Sequence, residues 1–257
     1  MALNSGYIDI KINDLECDCY VTRPKDTSKP LPIVICLMDI FGLRPAMEYL
    51  GQKIAQQGYF VIQPNLFYRS ARSPIIEKLE LLGNKDTIGE ASCTVRGFSA
   101  KCDKNEVLSD LRAIMDHLAA SATYSSITVA DKVGLVGFCF GGGLAMRAAN
   151  EFSEVKAAAS IHSGRLALPD VADSPYHFIN NIKATLYFGH AENDASIPLD
   201  QIELLNKTLS DAKINYSSEI YTGCEHGWTM NDLYKYNKEG TDKVLLRLSE
   251  LFSSNLQ

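Results

Sequence analysis

The chain of 257 residues carries a formal net charge of -6, with 46% hydrophobic and 22% charged residues, enough apolar material for one α/β core. The acidic balance argues against nucleic acid or an anionic membrane as a partner, and the most apolar stretch, Leu31 to Leu43, is interrupted by Asp39, so no bilayer span is expected. Seven cysteines form an odd set without framework spacing, and Met1 to Asp14 has neither a basic start nor an apolar run; both features point to free thiols in a reducing, cytoplasmic setting.

Tyr7 to Ile12 and Cys17 to Thr22 alternate around Asn13-Asp14 and predict an opening hairpin. Cys17 and Cys19 share one strand face and read as packing, since no further metal ligands stand nearby. After a polar loop from Pro24 to Pro32, the nearly continuous apolar run Ile33 to Met38 predicts a strand buried on both faces. Asp39-Ile40-Phe41-Gly42 follows as a loop. Pro45 starts a helix with Met47, Leu50, Ile54 and Ala55 on one face, Gly58 stops it, and Tyr59 to Ile62 is the next strand. From Phe67 to Lys104 the periodicity weakens, basic residues gather and glycines interrupt, which marks a candidate lid or insertion, or an ordinary solvated segment.

Order returns with the amphipathic helix Asn105 to Ala120. Strands are expected at Val133 to Val136, Ala157 to Ile161, Ala184 to Phe188 and Tyr216 to Tyr221, with helices at Leu144 to Asn150, Leu199 to Ala212 and Thr241 to Phe252. This alternation predicts an α/β protein: one domain over residues 1–257 with a mostly parallel, doubly wound sheet of about eight strands flanked by helices.

The stretch Val133 to Gly143 reads strand, sharp turn, helix, with Cys139 at the apex between Gly137 and Gly141. A turn this tight leaves no room for a Cβ on either side. GxCxG is the thiol counterpart of the GxSxG nucleophile elbow, which raises its nucleophile above a parallel sheet at a helix N-terminus that favours negative charge. Two plainer readings compete, a buried structural cysteine and a phosphate loop. Gly137 to Gly143 lacks the Lys-Ser/Thr ending of the latter and does not fit GxGxxG.

Reactive groups in such a sheet collect at the carboxyl ends of the strands. Asp194 follows one later strand and His226 the last, so nucleophile, acid and base run in the chain order of an α/β-hydrolase. His226 is the favoured base, and Asp194 is preferred over Glu192 and Asp200 because its loop can curl back toward it. His190 reads as structural, and His117 and His177 have no argument for chemistry. The amides of Phe140 and Ile40 are the expected oxyanion donors. Asp39, Phe41, Phe138, His162 and Trp228 are expected around the substrate, with Asp39 either accepting the thiol proton or holding its loop.

With these stretches in hand, the sequence resembles the dienelactone hydrolase family. The likeness rests on Asp39-Ile40-Phe41-Gly42, Gln56-Gln57-Gly58-Tyr59 through Pro64-Asn65-Leu66, the cysteine elbow, the Gly189 to Asp194 loop and Glu225-His226-Gly227. The resemblance implies an α/β-hydrolase fold, no cofactor or metal, and Cys139, Asp194 and His226 as triad. Two departures bear on substrate: Asp39 stands where the bacterial enzymes have glutamate, and Met230 stands where they have an arginine that grips the substrate carboxylate. Arg96 and Arg69 are candidates for the missing cation.

The expected reaction is acyl transfer through a thioester. A thiolate leaves a tetrahedral intermediate more readily than an alkyl alkoxide, so enol lactones and aryl esters should outpace alkyl esters, and amides should not react. A small-molecule ester or lactone is the only partner expected of a monomer or homodimer. The alternatives are a ligand-binding or thiol redox-sensing member of the same fold, and a serine esterase at Ser160 or Ser163, neither of which sits in a GxSxG elbow.

Overall fold

Side-chain patterning assigns the strands their places. The computed structural model describes residues 1–257. Strand β1 (Leu3–Ile12) and strand β2 (Leu15–Pro24) form the antiparallel hairpin, with Asn13 taking φ 55° in its turn. Strands β3 (Leu31–Leu37) and β4 (Phe60–Pro64) are apolar except for the buried Gln63 and are covered on both faces, and helix α1 (Pro45–Ala55) crosses between them. Strand β5 (Thr128–Phe138) starts five residues before the expected Val133. Its polar opening, including Asp131-Lys132, lies before register shifts on both neighbours, so alternation there does not signal a strand.

Strands β6 (Val155–Ile161), β7 (Thr185–Asn193) and β8 (Tyr216–Glu225) complete a sheet in the order β1-β2-β4-β3-β5-β6-β7-β8. The six strands from β4 across to β8 are parallel. In chain order the remaining helices are α2 (Ile88–Lys101), α3 (Lys104–Ala120), the single turn α4 (Ala122–Ser125), α5 (Phe140–Glu151), α6 (Leu199–Asp211) and α7 (Lys238–Leu256). None is long and apolar enough to cross a membrane.

The chain moves from β3 outward to β4 and then returns past β3 to β5. The winding therefore reverses between β3 and β5, where α/β sheets open a crevice at their carboxyl ends. Leu37 and Gly137 are register partners there, so the Asp39 loop and the cysteine elbow emerge side by side. Residues 67–104, where the sequence pattern fades, contain a 3-10 turn at Leu79–Gly83 and then α2. Helix α2 buries only Ala91 and Val95, too few positions to write a strong helical stripe into the sequence. The segment is anchored by Leu82 and Val95, both fully buried, and by Phe67, whose ring lies 5.5 Å from that of Phe140.

Candidate active site

The elbow forms because the backbone crosses itself closely. A Cβ on Gly137 would lie 2.1 Å from the Gly141 carbonyl oxygen, and one on Gly141 would lie 2.7 Å from the carbonyl oxygens of Leu37 and Met38. Only glycine fits either place. Cys139 takes φ 49° and ψ -108°, a strained conformation pinned by its amide donating to the Ile161 carbonyl at 2.9 Å. Its side chain stands half-buried at the start of α5, the last strand residue before it, Phe138, being fully buried.

His226 arrives in the turn after β8. Its Nε2 lies 3.0 Å from the Cys139 sulfur, and its Nδ1 lies 2.7 Å from Oδ2 of Asp194. A carboxylate only accepts, so Nδ1 carries the hydrogen and Nε2 faces the sulfur. Asp194 is held in turn by Ser196, whose hydroxyl and amide both donate to Oδ1, at 2.5 and 2.9 Å. Burial opposes charge on both partners. It is outweighed at Asp194 by the hydrogen bond and charge of His226, which lower the carboxyl pKa. At His226 the Cys139 sulfur and the Asp194 carboxylate push the imidazole up to about 10. Among the residues lining the cavity over Cys139 are Ile40 and Phe140. The Phe140 amide, at the first position of α5, has no partner earlier in that helix.

The sequence model of the dienelactone hydrolase family matches residues 17–256. The chain belongs to the dienelactone hydrolase family. It is thus an ester hydrolase by family. It is 28% identical over 257 residues to a predicted carboxymethylenebutenolidase of Synechocystis, covering 99% of this chain and 98% of the relative. It is 30% identical over 212 residues to a carboxymethylenebutenolidase homolog of Rattus norvegicus, covering 81% and 74%. The fold is that of a predicted dienelactone hydrolase from Klebsiella pneumoniae, with a TM-score of 0.82 at 23% identity over 98% of this chain and 99% of that one.

Within this dienelactone hydrolase fold, two cavities meet at Cys139 and His226. One of about 470 Å³ runs over the start of α5 and the Gly164–Pro175 loop. The other, of about 250 Å³, lies between the Asp39 loop and Leu233-Tyr234-Lys235, with Ile88 of α2 on its wall. Asp39 and Phe41 line the second. Phe138, His162 and Trp228 do not line either cavity, which corrects their expected place. All three are fully buried and form the layer beneath His226, with the His162 ring 5.9 Å from Phe138, 5.6 Å from His226 and 5.0 Å from Trp228. The elbow that lifts Cys139 upward sends its neighbour Phe138 into the core. His162 is held neutral by burial, with the nearby His226 charge adding to the effect, and its Nε2 meets Thr229 Oγ1 at 2.8 Å. His190 is also buried and neutral, stacked on Phe188 with its pKa pushed down to about 4 by burial.

Asp39 holds its loop. It accepts from the Phe41 amide at 2.9 Å and from both terminal nitrogens of Arg44 at 2.7 and 3.0 Å. Arg44 is fully buried and also donates twice to Asp232, at 2.6 and 3.0 Å. Met230 is buried in the core, and neither Arg69 nor Arg96 lines either cavity at Cys139. Arg69 is engaged by Asp110 instead. The cations that do line the larger cavity are Lys104, Arg147 and Arg165. Sequence reading missed them, along with Arg44 and Ser196. Only the position of Arg44, just ahead of the helix-starting Pro45, carries any local signal.

Proposed function

We propose that the protein hydrolyses small activated carboxylic esters or lactones, with Cys139 as nucleophile, His226 as base and Asp194 as the carboxylate that orients it. The reading is carried by one observation, the 3.0 Å approach of His226 Nε2 to the Cys139 sulfur with Nδ1 committed to Asp194. His226, charged at neutral pH, already holds the proton given up by the sulfur as that sulfur bonds to the carbonyl carbon, and the carbonyl oxygen becomes an oxyanion facing the Ile40 and Phe140 amides. When the intermediate collapses, the carbon–oxygen bond breaks and the imidazolium returns its proton to the leaving oxygen. A thioester remains. His226 then takes a proton from water, whose oxygen attacks the thioester carbon, and collapse releases the acid and restores the thiol.

Because the sulfur is itself a good leaving group, forward collapse needs a leaving oxygen stabilised as an enolate or phenolate. Aryl esters and enol lactones should therefore exceed ethyl esters of the same acid. Purified Cys139→Ala should lose ester turnover entirely. Turnover that survives this change removes the nucleophile, whereas labelling of Cys139 by iodoacetamide without any steady-state turnover in the parent protein favours a non-catalytic thiol.

A further inference from the structure

The reacting sulfur has space on two sides. The larger and smaller cavities share Ile40, Cys139 and His226 and diverge from there. A lactone keeps its acyl and leaving halves in one ring and fills one side, while an open-chain ester sends them apart. The walls differ in chemistry. On the smaller side Phe41, Ile88 and Leu233 are apolar, and its cation, Lys235, is paired with Glu225 at 3.2 Å. That wall suits the planar, low-pKa leaving group that a thiolate mechanism requires.

The larger side is left to the acyl half. Its wall holds three cations, Lys104, Arg147 and Arg165, against one carboxylate, Asp173. Lys104 and Arg147 both bond Asp173. Arg165 is exposed at the cavity's edge, and its guanidinium has no ion-pair or hydrogen-bond partner in the protein. Its backbone is nonetheless fixed: it takes φ 59°, and its amide donates to the Ser196 carbonyl at 3.0 Å. Gly164 before it lies so close to Ser196 that a Cβ would stand 2.4 Å from the Ser196 Oγ. Ser196 is the residue that holds Asp194, so the base's carboxylate and the unpaired arginine are positioned by one loop.

We propose that the preferred substrate is an open-chain ester with unlike ends, its acyl chain ending in an anion at Arg165 and its aryl or enol oxygen departing toward Phe41, Ile88 and Leu233. The inference rests on the cysteine mechanism above. Its test compares mono-4-nitrophenyl glutarate, 4-nitrophenyl pentanoate and a five-membered enol lactone, with each kcat/KM divided by the rate constant for attack by hydroxide. The glutarate ester should exceed the pentanoate ester by about fivefold, the upper scale of a solvent-exposed ion pair, and the lactone should fall below both. Arg165→Met should bring the ratio of the two open-chain esters to near unity, and Arg165→Lys should keep part of it. A ratio near unity in the parent protein, a ratio unmoved by Arg165→Met, or a lactone preferred over both esters overturns the proposal. If the pentanoate ester is hydrolysed only when Cys139 is present, such a result leaves the mechanism standing. If no ester is hydrolysed, or turnover survives Cys139→Ala, mechanism and substrate class fall together.

Discussion

His226 is the one side chain whose charge depends on both of its neighbours, and its behaviour with pH follows from them. Its pKa, ordinarily 6.5, is raised to about 10 against the cost of burial by the Cys139 sulfur and Asp194. A histidine raised in the folded state contributes stability that is complete below its ordinary value and is lost as pH climbs through the raised one. Asp194→Asn removes part of that support. Urea unfolding should show the variant less stable than the parent at pH 7, with the gap narrowing by pH 10. The same change deprives Nδ1–H of its acceptor and should lower kcat by ~10²–10⁴-fold. An equal gap at both pH values would mean that the imidazole's charge does not couple to folding. The meeting of Cys139, Asp194 and His226 was legible in the sequence because glycine spacing and strand order announce it. Ser196 was not, because a serine two residues past an aspartate is common loop chemistry until the bond between them is seen.

At the level of the elbow and its helix, glycines with the same sequence look have opposite tolerances. A Cβ on Gly137 would meet backbone at 2.1 Å, while one on Gly143 meets nothing within 4 Å. Gly143→Ala should therefore be accepted and raise stability by about 0.5–1 kcal/mol through helix propensity, read as a higher denaturant midpoint. Gly137→Ala should distort the turn, lowering the midpoint and abolishing alkylation of Cys139 at the parent rate. The sequence displayed the turn itself but could not rank its glycines, since the ranking depends on Leu37 at the end of β3, on Met38 just after it and on Ser163 beneath Gly142. Likewise the start of β5 and the whole of α2 lacked a clean period, because few of their side chains meet the core.

Across the molecule, Arg44 joins distant parts of the chain. It binds Asp39 beside β3 and Asp232, 188 residues away, just beyond the turn that carries His226. Removing one partner of a buried charged set leaves the others uncompensated. Arg44→Met should cost about 3–5 kcal/mol of stability by denaturant titration, and a loss under about 1 kcal/mol would show that water or rearrangement satisfies Asp39 instead. The alternation of strands and helices was readable from the apolar runs, and so was the α/β class. The Arg44 link was not, because periodicity records which face a residue buries and says nothing about which remote carboxylates meet there.

The sulfur and its imidazole sit 87 positions apart in the chain, on turns after β5 and β8, the first and last of four strands side by side in the sheet. A nascent chain emerging residue by residue thus holds its cysteine long before it holds the imidazole proposed to activate it. On the proposed mechanism the thiol lacks its base until the final strand docks, so catalytic ester turnover should arise only with the finished molecule. A clip that frees the last strand should then silence ester turnover while leaving the cysteine intact.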